Sequence, residues 1–325
     1  MALNSRLTRV LREVRRWRTH GAGEPIAVDP DLGGSDLRRL STEIDAVIEG
    51  RGGPAAARRR ARRLGITYDT LSPTGKRRFF EHLAEEHDRD VEAVNQAIDT
   101  VIHAEDPTDR RRAESELQRT LRPGHGTLLR YLAGQDGGLA FLVALRADLL
   151  PQRRDSAGLS ALDAELRQIL ENWFDVGLLE LVRLTWDTSA SLLEKLIDYE
   201  AVHAIESWDD LKHRLGPGRR CYAFMHPAMP DDPLVFVEVA LTEGIPTELG
   251  PLLALTDPAD TDRRTRPTNG EPADEVADTA VFYSISNCHD GLAGVSLGDF
   301  LIKSVAEELA AELSNLSTFV TLSPL

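Results

Sequence analysis

A serine and three glycines near the C-terminal end have the spacing to hold a phosphate group and to aim a hydroxyl beside it. The run 280–286, Ala-Val-Phe-Tyr-Ser-Ile-Ser, has the apolar, β-branched and aromatic make-up of a strand. Gly291, Gly294 and Gly298 punctuate the connection that follows, and a helix is predicted after them. Strand, glycine loop and helix in series expose backbone N–H groups at a helix N-terminus, where the partial positive charge favours an anion. Thr321-Leu322-Ser323-Pro324-Leu325 then reads as a further strand carrying Ser323. The loop matches neither G-x-G-x-x-G nor a P-loop, because Gly298 is followed by Asp299 and not by a Lys-Ser/Thr pair. An ordinary strand-to-helix connection accounts for the same residues. Asp299 would repel a phosphate if it pointed inward, and would not as an N-cap or an outward group.

These residues need a scaffold, and the chain is long enough to supply two domains: 325 residues, 42% of them hydrophobic. A net charge of −15 argues against a general binder of nucleic acid or of anionic membranes, both of which need a positive field. Cys221 and Cys288 are the only cysteines, no apolar run approaches the ~20 residues of a spanning helix, and no secretory signal is visible. The expectation is an intracellular, cytoplasmic protein with reduced thiols.

Residues 1–35 are expected to form a basic N-terminal segment, helical or disordered. In its first twenty residues Arg6, Arg9, Arg12, Arg15, Arg16 and Arg18 stand with one acid, Glu13, and Leu3, Leu7, Val10, Val14 and Trp17 recur at helical spacing. A targeting peptide or a membrane-surface helix is an alternative to a plain first helix. From 36 to 172 the pattern is that of a helical bundle, with apolar returns such as Val91, Val94, Ile98 and Val101. Gly52-Gly53-Pro54, Ser72-Pro73, Asp106-Pro107 and Arg122-Pro123-Gly124 mark its turns. The arginines Arg58 to Arg60, Arg62 and Arg63 read as a solvated helix face, and His82, His87 and His103 lack metal-ligand spacing. Assembly suits this half better than catalysis.

At Trp173 the pattern becomes mixed. Strands are predicted at 178–186, 221–226 and 234–241, and helices at 190–199 and 207–215, the second opened by Ser207 with Asp210 three residues on. The stretch 243–279, rich in Pro, Asp, Glu and Thr, is expected to be a flexible surface loop.

The blocks Trp173-Phe174-Asp175-Val176-Gly177, Leu184-Thr185-Trp186-Asp187, Tyr199-Glu200-Ala201-Val202-His203, Trp208-Asp209-Asp210-Leu211-Lys212 and Arg219-Arg220-Cys221-Tyr222 resemble the malonyl-CoA decarboxylase family. So do Phe282-Tyr283-Ser284-Ile285-Ser286, Gly291-Leu292-Ala293-Gly294-Val295 and Leu297-Gly298-Asp299-Phe300-Leu301, all in order and register. Gly137-Gly138-Leu139-Ala140 and Leu145-Arg146-Ala147-Asp148 extend the likeness upstream. The resemblance implies an N-terminal helical bundle that assembles homo-oligomers, followed by a GCN5-related acetyltransferase-like α+β domain at 173–325. It implies that Asn287, Gly291, Leu292, Gly294, Val295 and Gly298 cradle the pyrophosphate of coenzyme A, and that Ser323 is a catalytic serine with Ser284 a second pocket serine. The substrate would be malonyl-CoA, converted to acetyl-CoA and CO2 through a thioester enolate. No cofactor is implied beyond the CoA moiety itself, because the thioester carbonyl is its own electron sink.

In the family the serine works with a histidine from a later part of the fold, which would lie past Leu325. The expectation is therefore an incomplete domain, inactive alone. Ser296 stands where some members carry an acid, and neither His226 nor His289 is a convincing substitute for the family's histidine. A CoA-dependent acyltransferase of the same fold and a non-catalytic assembly fragment remain as alternatives.

Overall fold

The computed structural model describes residues 24–247 and 273–322. These residues form two compact units that part between Asn172 and Trp173. The arginine-rich stretch from Arg6 to Arg18 lies outside the described residues, as does Ser323.

The first unit is built from helices α1 (Gly34–Ile48), α2 (Gly53–Tyr68), α3 (Pro73–Glu86), α4 (Val91–His103), α5 (Pro107–Thr120), α6 (Gly124–Ala133), α7 (Gly138–Leu149) and α8 (Ala157–Trp173). Local chemistry sets several of the starts. The Ser72 hydroxyl accepts the Gly75 N–H at 3.1 Å, and Asp90 and Asp106 accept the first N–H groups of α4 and α5. Pro73 and Pro107 occupy first-turn positions, where a missing N–H costs nothing. Leu64, Leu83, Leu128 and Leu142 are fully buried, and Tyr68 meets Phe79, Phe80 and Phe141 edge to face. The pair α4–α5 differs: each buries one residue, Ala97 and Ala113, while Val91 and Ile102 are 70% and 63% exposed.

The second unit is a five-stranded sheet in the order β1 (Glu180–Leu184), β2 (Arg219–Met225), β3 (Val235–Thr242), β4 (Thr279–Asn287), β5 (Thr318–Thr321). Neighbours are antiparallel except β4 and β5, which run parallel. Two helices, α9 (Ala190–Tyr199) and α10 (Trp208–Arg214), join β1 to β2. Leu193, Leu196, Tyr199 and Leu211 from these helices pack with Cys221, Ala223 and Phe236 of the sheet. The short α11 (Ala273–Val276) precedes β4, and α12 (Gly298–Glu312) connects β4 to β5. Leu301, Val305 and Leu309 on α12 are fully buried where it packs on β1 to β4. β2 and β3 are buried almost along their whole length, as expected of central strands covered on both faces.

Two boundaries differ from the sequence reading. The strand expected at 178–186 is confined to Glu180–Leu184, because Asp175 accepts the Gly177 N–H at 2.9 Å and winds Val176–Leu178 into a 3-10 turn. The last described strand begins at Thr318 and not at 321, because Ser317 and Thr318 both donate their N–H groups to the Asp278 carbonyl and so start the pairing at the foot of β4; residues 323–325 lie outside the described residues. Of the loop expected at 243–279, residues 248–272 lie outside the described residues. Its two feet are joined where Asp278 accepts the Gly244 N–H at 2.7 Å.

Candidate active site

β4 pairs with β5 only from Thr279 to Phe282, and the Leu322 N–H closes that ladder on the Phe282 carbonyl at 2.9 Å. At that point the β3–β4 register shifts: Val239 opposes Phe282 and Glu238 opposes Ser284, which leaves Tyr283 as the extra residue of a β-bulge. Past the bulge, Cys288 donates its N–H to the Leu234 carbonyl of β3. By the two-residue alternation of a strand, the N–H and C=O of Ile285 and Asn287 then face away from β3. Among the described residues nothing bonds that stretch of edge. Gly298, the first residue of α12, lies alongside, since a Cβ on it would sit 3.7 Å from Ile285 Cγ2.

The connection into α12 is anchored by its apolar residues. Asp290–Leu292 forms a 3-10 turn, and Leu292, Val295 and Leu297 are buried. The Leu292, Val295 and Leu297 N–H groups bond within the turn, so the side chains of Leu292 and Val295 hold the loop in place. Gly294 has φ +80, a conformation that costs glycine little and other residues more. Leu297 gives α12 no side-chain cap, so the first N–H groups of that helix, from Gly298 on, are the donors an anion would meet. Asp299 and Asn287 are exposed, and Gly291 is buried inside the turn.

Ser284 is buried, and its hydroxyl donates to both oxygens of Glu200, at 2.8 and 2.9 Å. Ser286 donates to Glu200 at 3.1 Å, and the N–H groups of Val202 and His203 reach the same carboxylate at 2.8 Å. Every one of these partners is a donor, the pattern that satisfies an ionised acid. Directly across from Ser284 stands Glu238, whose Oε2 accepts from the Arg214 guanidinium at 3.0 Å. Arg214 also donates to Asp210 and to the carbonyls of His203 and Ala204. Two buried carboxylates, Asp210 and Glu238, thus share the buried Arg214 guanidinium, and the buried Glu200 acts on Glu238. Burial first, then the neighbouring Glu200, pushes the Glu238 carboxyl up to about 8, so it carries the surplus proton at neutral pH. For Arg214 burial opposes the charge, but Asp210 and Glu238 outweigh it and raise its pKa. Tyr283 lies beside this cluster, with the Arg219 guanidinium 5.6 Å above its ring and the His203 ring 6.5 Å away.

The structure therefore gathers Asn287, Gly291, Leu292, Gly294, Val295 and Gly298 around the start of α12 and puts Ser284 beneath the open half of β4. The sequence reading passed over Glu200, Glu238 and Arg214. One signal was there: Glu238 is the single charge inside the apolar run 235–241, a place where an acid survives only with partners. His226 and His289 are structural. The His226 ring nitrogen accepts the Ala228 N–H at 3.0 Å, and His289 Nε2 lies 3.1 Å from the Pro233 carbonyl.

A helical unit followed by a mixed sheet, in which a strand edge meets a helix N-terminus, defines a two-unit α plus α/β protein. Solved structures of malonyl-CoA decarboxylase share the architecture. That from Rhodopseudomonas palustris superposes with a TM-score of 0.77 at 40% identity, over 89% of this chain and 66% of that one. That from Agrobacterium vitis gives 0.77 at 38% identity, over 88% and 66%. The family model for the malonyl-CoA decarboxylase N-terminal domain matches residues 87–174, and that for the C-terminal domain matches 177–325. The mitochondrial malonyl-CoA decarboxylase of Rattus norvegicus is 40% identical over 217 residues, 66% of this chain and 42% of that protein. The chain belongs to the malonyl-CoA decarboxylase family. It spans about two thirds of the solved relatives and about two fifths of the curated one.

Proposed function

We propose that the second unit binds malonyl-CoA and serves its decarboxylation to acetyl-CoA and CO2. The observation that carries this reading is the edge of β4 at Ile285 and Asn287, unbonded among the described residues, beside the uncapped start of α12. An extended pantetheine arm has amide groups that can add to such an edge, and the pyrophosphate suits the N–H groups that open the helix. Gly294 and Gly298 let that backbone approach an anion, while Leu292 and Val295 keep the loop seated.

The chemistry asks little of the protein. Cleavage of the bond to the carboxylate leaves its electron pair on the thioester as an enolate, so the need is for donors to the enolate oxygen and a proton for the carbon. One such donor is worth about 3 kcal/mol of barrier in a water-poor site. Ser323 follows Leu322 at the end of the β5 ladder and is the hydroxyl proposed for the acyl end; it lies outside the described residues. Ser284 has a different part, since its single proton is committed to Glu200. It supports the wall and does not face the enolate as a donor. No cofactor beyond the CoA moiety enters, because the carbonyl accepts the electron pair. Incubation of malonyl-CoA with a form extended to the full length of the solved relatives should release CO2 and acetyl-CoA in equal amounts. An acylated amine formed from acetyl-CoA, with no CO2 from malonyl-CoA, would reassign the unit to acyl transfer.

Self-association through the first unit is part of the same proposal. It is supported by the α4–α5 pair, whose Val91, Ile98 and Ile102 are exposed along one helix. A reducing, cytoplasmic setting is supported by the free, buried thiols of Cys221 and Cys288. No helix among the described residues is long and apolar enough to cross a membrane.

A further inference from the structure

β4 is restrained differently in its two halves. From Thr279 to Phe282 it is held by β3 on one side and β5 on the other. From the bulge to Asn287 only β3 remains among the described residues, and a strand with one free edge is prone to fraying and to slippage of register.

A second restraint acts on that half alone, through the side chains. Ser284 and Ser286 point to the face carrying α9 and α10, and both bond Glu200, the residue that caps the end of α9. The link is reciprocal, because the Ala201 N–H donates to the Ser286 hydroxyl at 3.3 Å. Glu200 is itself fixed by the Val202 and His203 N–H groups, and the His203 carbonyl is held by Arg214. The carboxylate is 8% exposed, so losing any of these donors leaves buried charge uncompensated. The staple thus resists movement of residues 284–286 while leaving the N–H and C=O groups of Ile285 and Asn287 untouched.

We propose that Glu200 is a positioning residue of the site, which holds the open half of β4 through Ser284 and Ser286 so that its free edge is ready for an extended, amide-bearing arm. The ligand in this statement rests on the reading of the cleft as a seat for CoA. The stapling of the strand does not.

The test uses the full chain with Glu200→Gln, which keeps the size of the side chain and removes its charge, and reads amide exchange and CoA binding separately. Exchange at Ser284, Ser286 and Cys288, whose N–H groups face β3, should speed up by about tenfold or more while Thr279 to Phe282 change less than about threefold. Unchanged exchange, or equal acceleration along all of β4, overturns the proposal. Calorimetry with free CoA should show binding weakened by about tenfold. Unchanged affinity alongside faster exchange overturns the link between the staple and the ligand. If the parent chain does not bind CoA, the reading of the cleft fails, and Glu200 is judged on exchange alone. Should Glu200→Gln fail to fold, the double variant Ser284→Ala with Ser286→Ala removes the two hydroxyl links with Glu200 in place, and the same two readouts decide.

Discussion

At the scale of single residues, Glu238 shows how burial writes a pH dependence into the fold. Its carboxyl is raised from 4.5 to about 8, chiefly by burial and then by Glu200, with Arg214 pulling the other way. The folded state therefore keeps a proton that the unfolded chain loses. The stability tied to this group is intact below about 4.5, falls as pH climbs towards about 8, and is level beyond. Glu238→Gln imitates the protonated acid and still offers Arg214 an acceptor. Its melting temperature should match the parent at pH 4.5 and exceed it at pH 8.5, by the equivalent of about 2 kcal/mol. Equal pH slopes for parent and variant would mean that Glu238 is ionised in the sheet. Ser284 teaches a related lesson: a serine inside a matched motif is not thereby a hydrogen-bond donor to substrate, because its proton already has a destination.

At the scale of elements, starts and stops follow local chemistry and close approaches follow packing. Ser72, Asp90, Asp106 and Ser207 each cap a helix, and of these the sequence reading marked Ser207 as a cap. Gly75 in α3 is there for another reason. A Cβ on it would lie 2.0 Å from the Pro30 carbonyl oxygen, whose partner is the Ser72 N–H, so the segment before α1 crosses α3 in contact with its backbone. Gly75→Ala must displace that crossing and should cost about 2 to 3 kcal/mol, read as a lower midpoint in urea unfolding with the slope preserved. A glycine in the first turn of a helix carries no such warning in the sequence, where helix propensity alone makes alanine the better residue.

At the scale of the whole molecule, the proposed function gives the two units different work: a surface for assembly in the first and a seat for a thioester in the second. Ile102 is 63% exposed on α4, so Ile102→Glu should leave the melting temperature unchanged while lowering the mass measured by sedimentation. An unchanged mass would place the association elsewhere. The sequence by itself determined the helical first half, the order of strands and helices in the second, and the family, because periodicity, capping residues and short ordered blocks are local properties of the chain. It also marked the glycine turn before α12. It did not disclose that the register shifts at Tyr283, that the described pairing of β4 with β5 ends beside it, or that Glu200 holds Ser284 from 84 residues away. Those facts belong to the tertiary structure alone, because a side chain's partner and a strand's register are decided by which distant segments exclude water together, and no spacing along the chain records that choice.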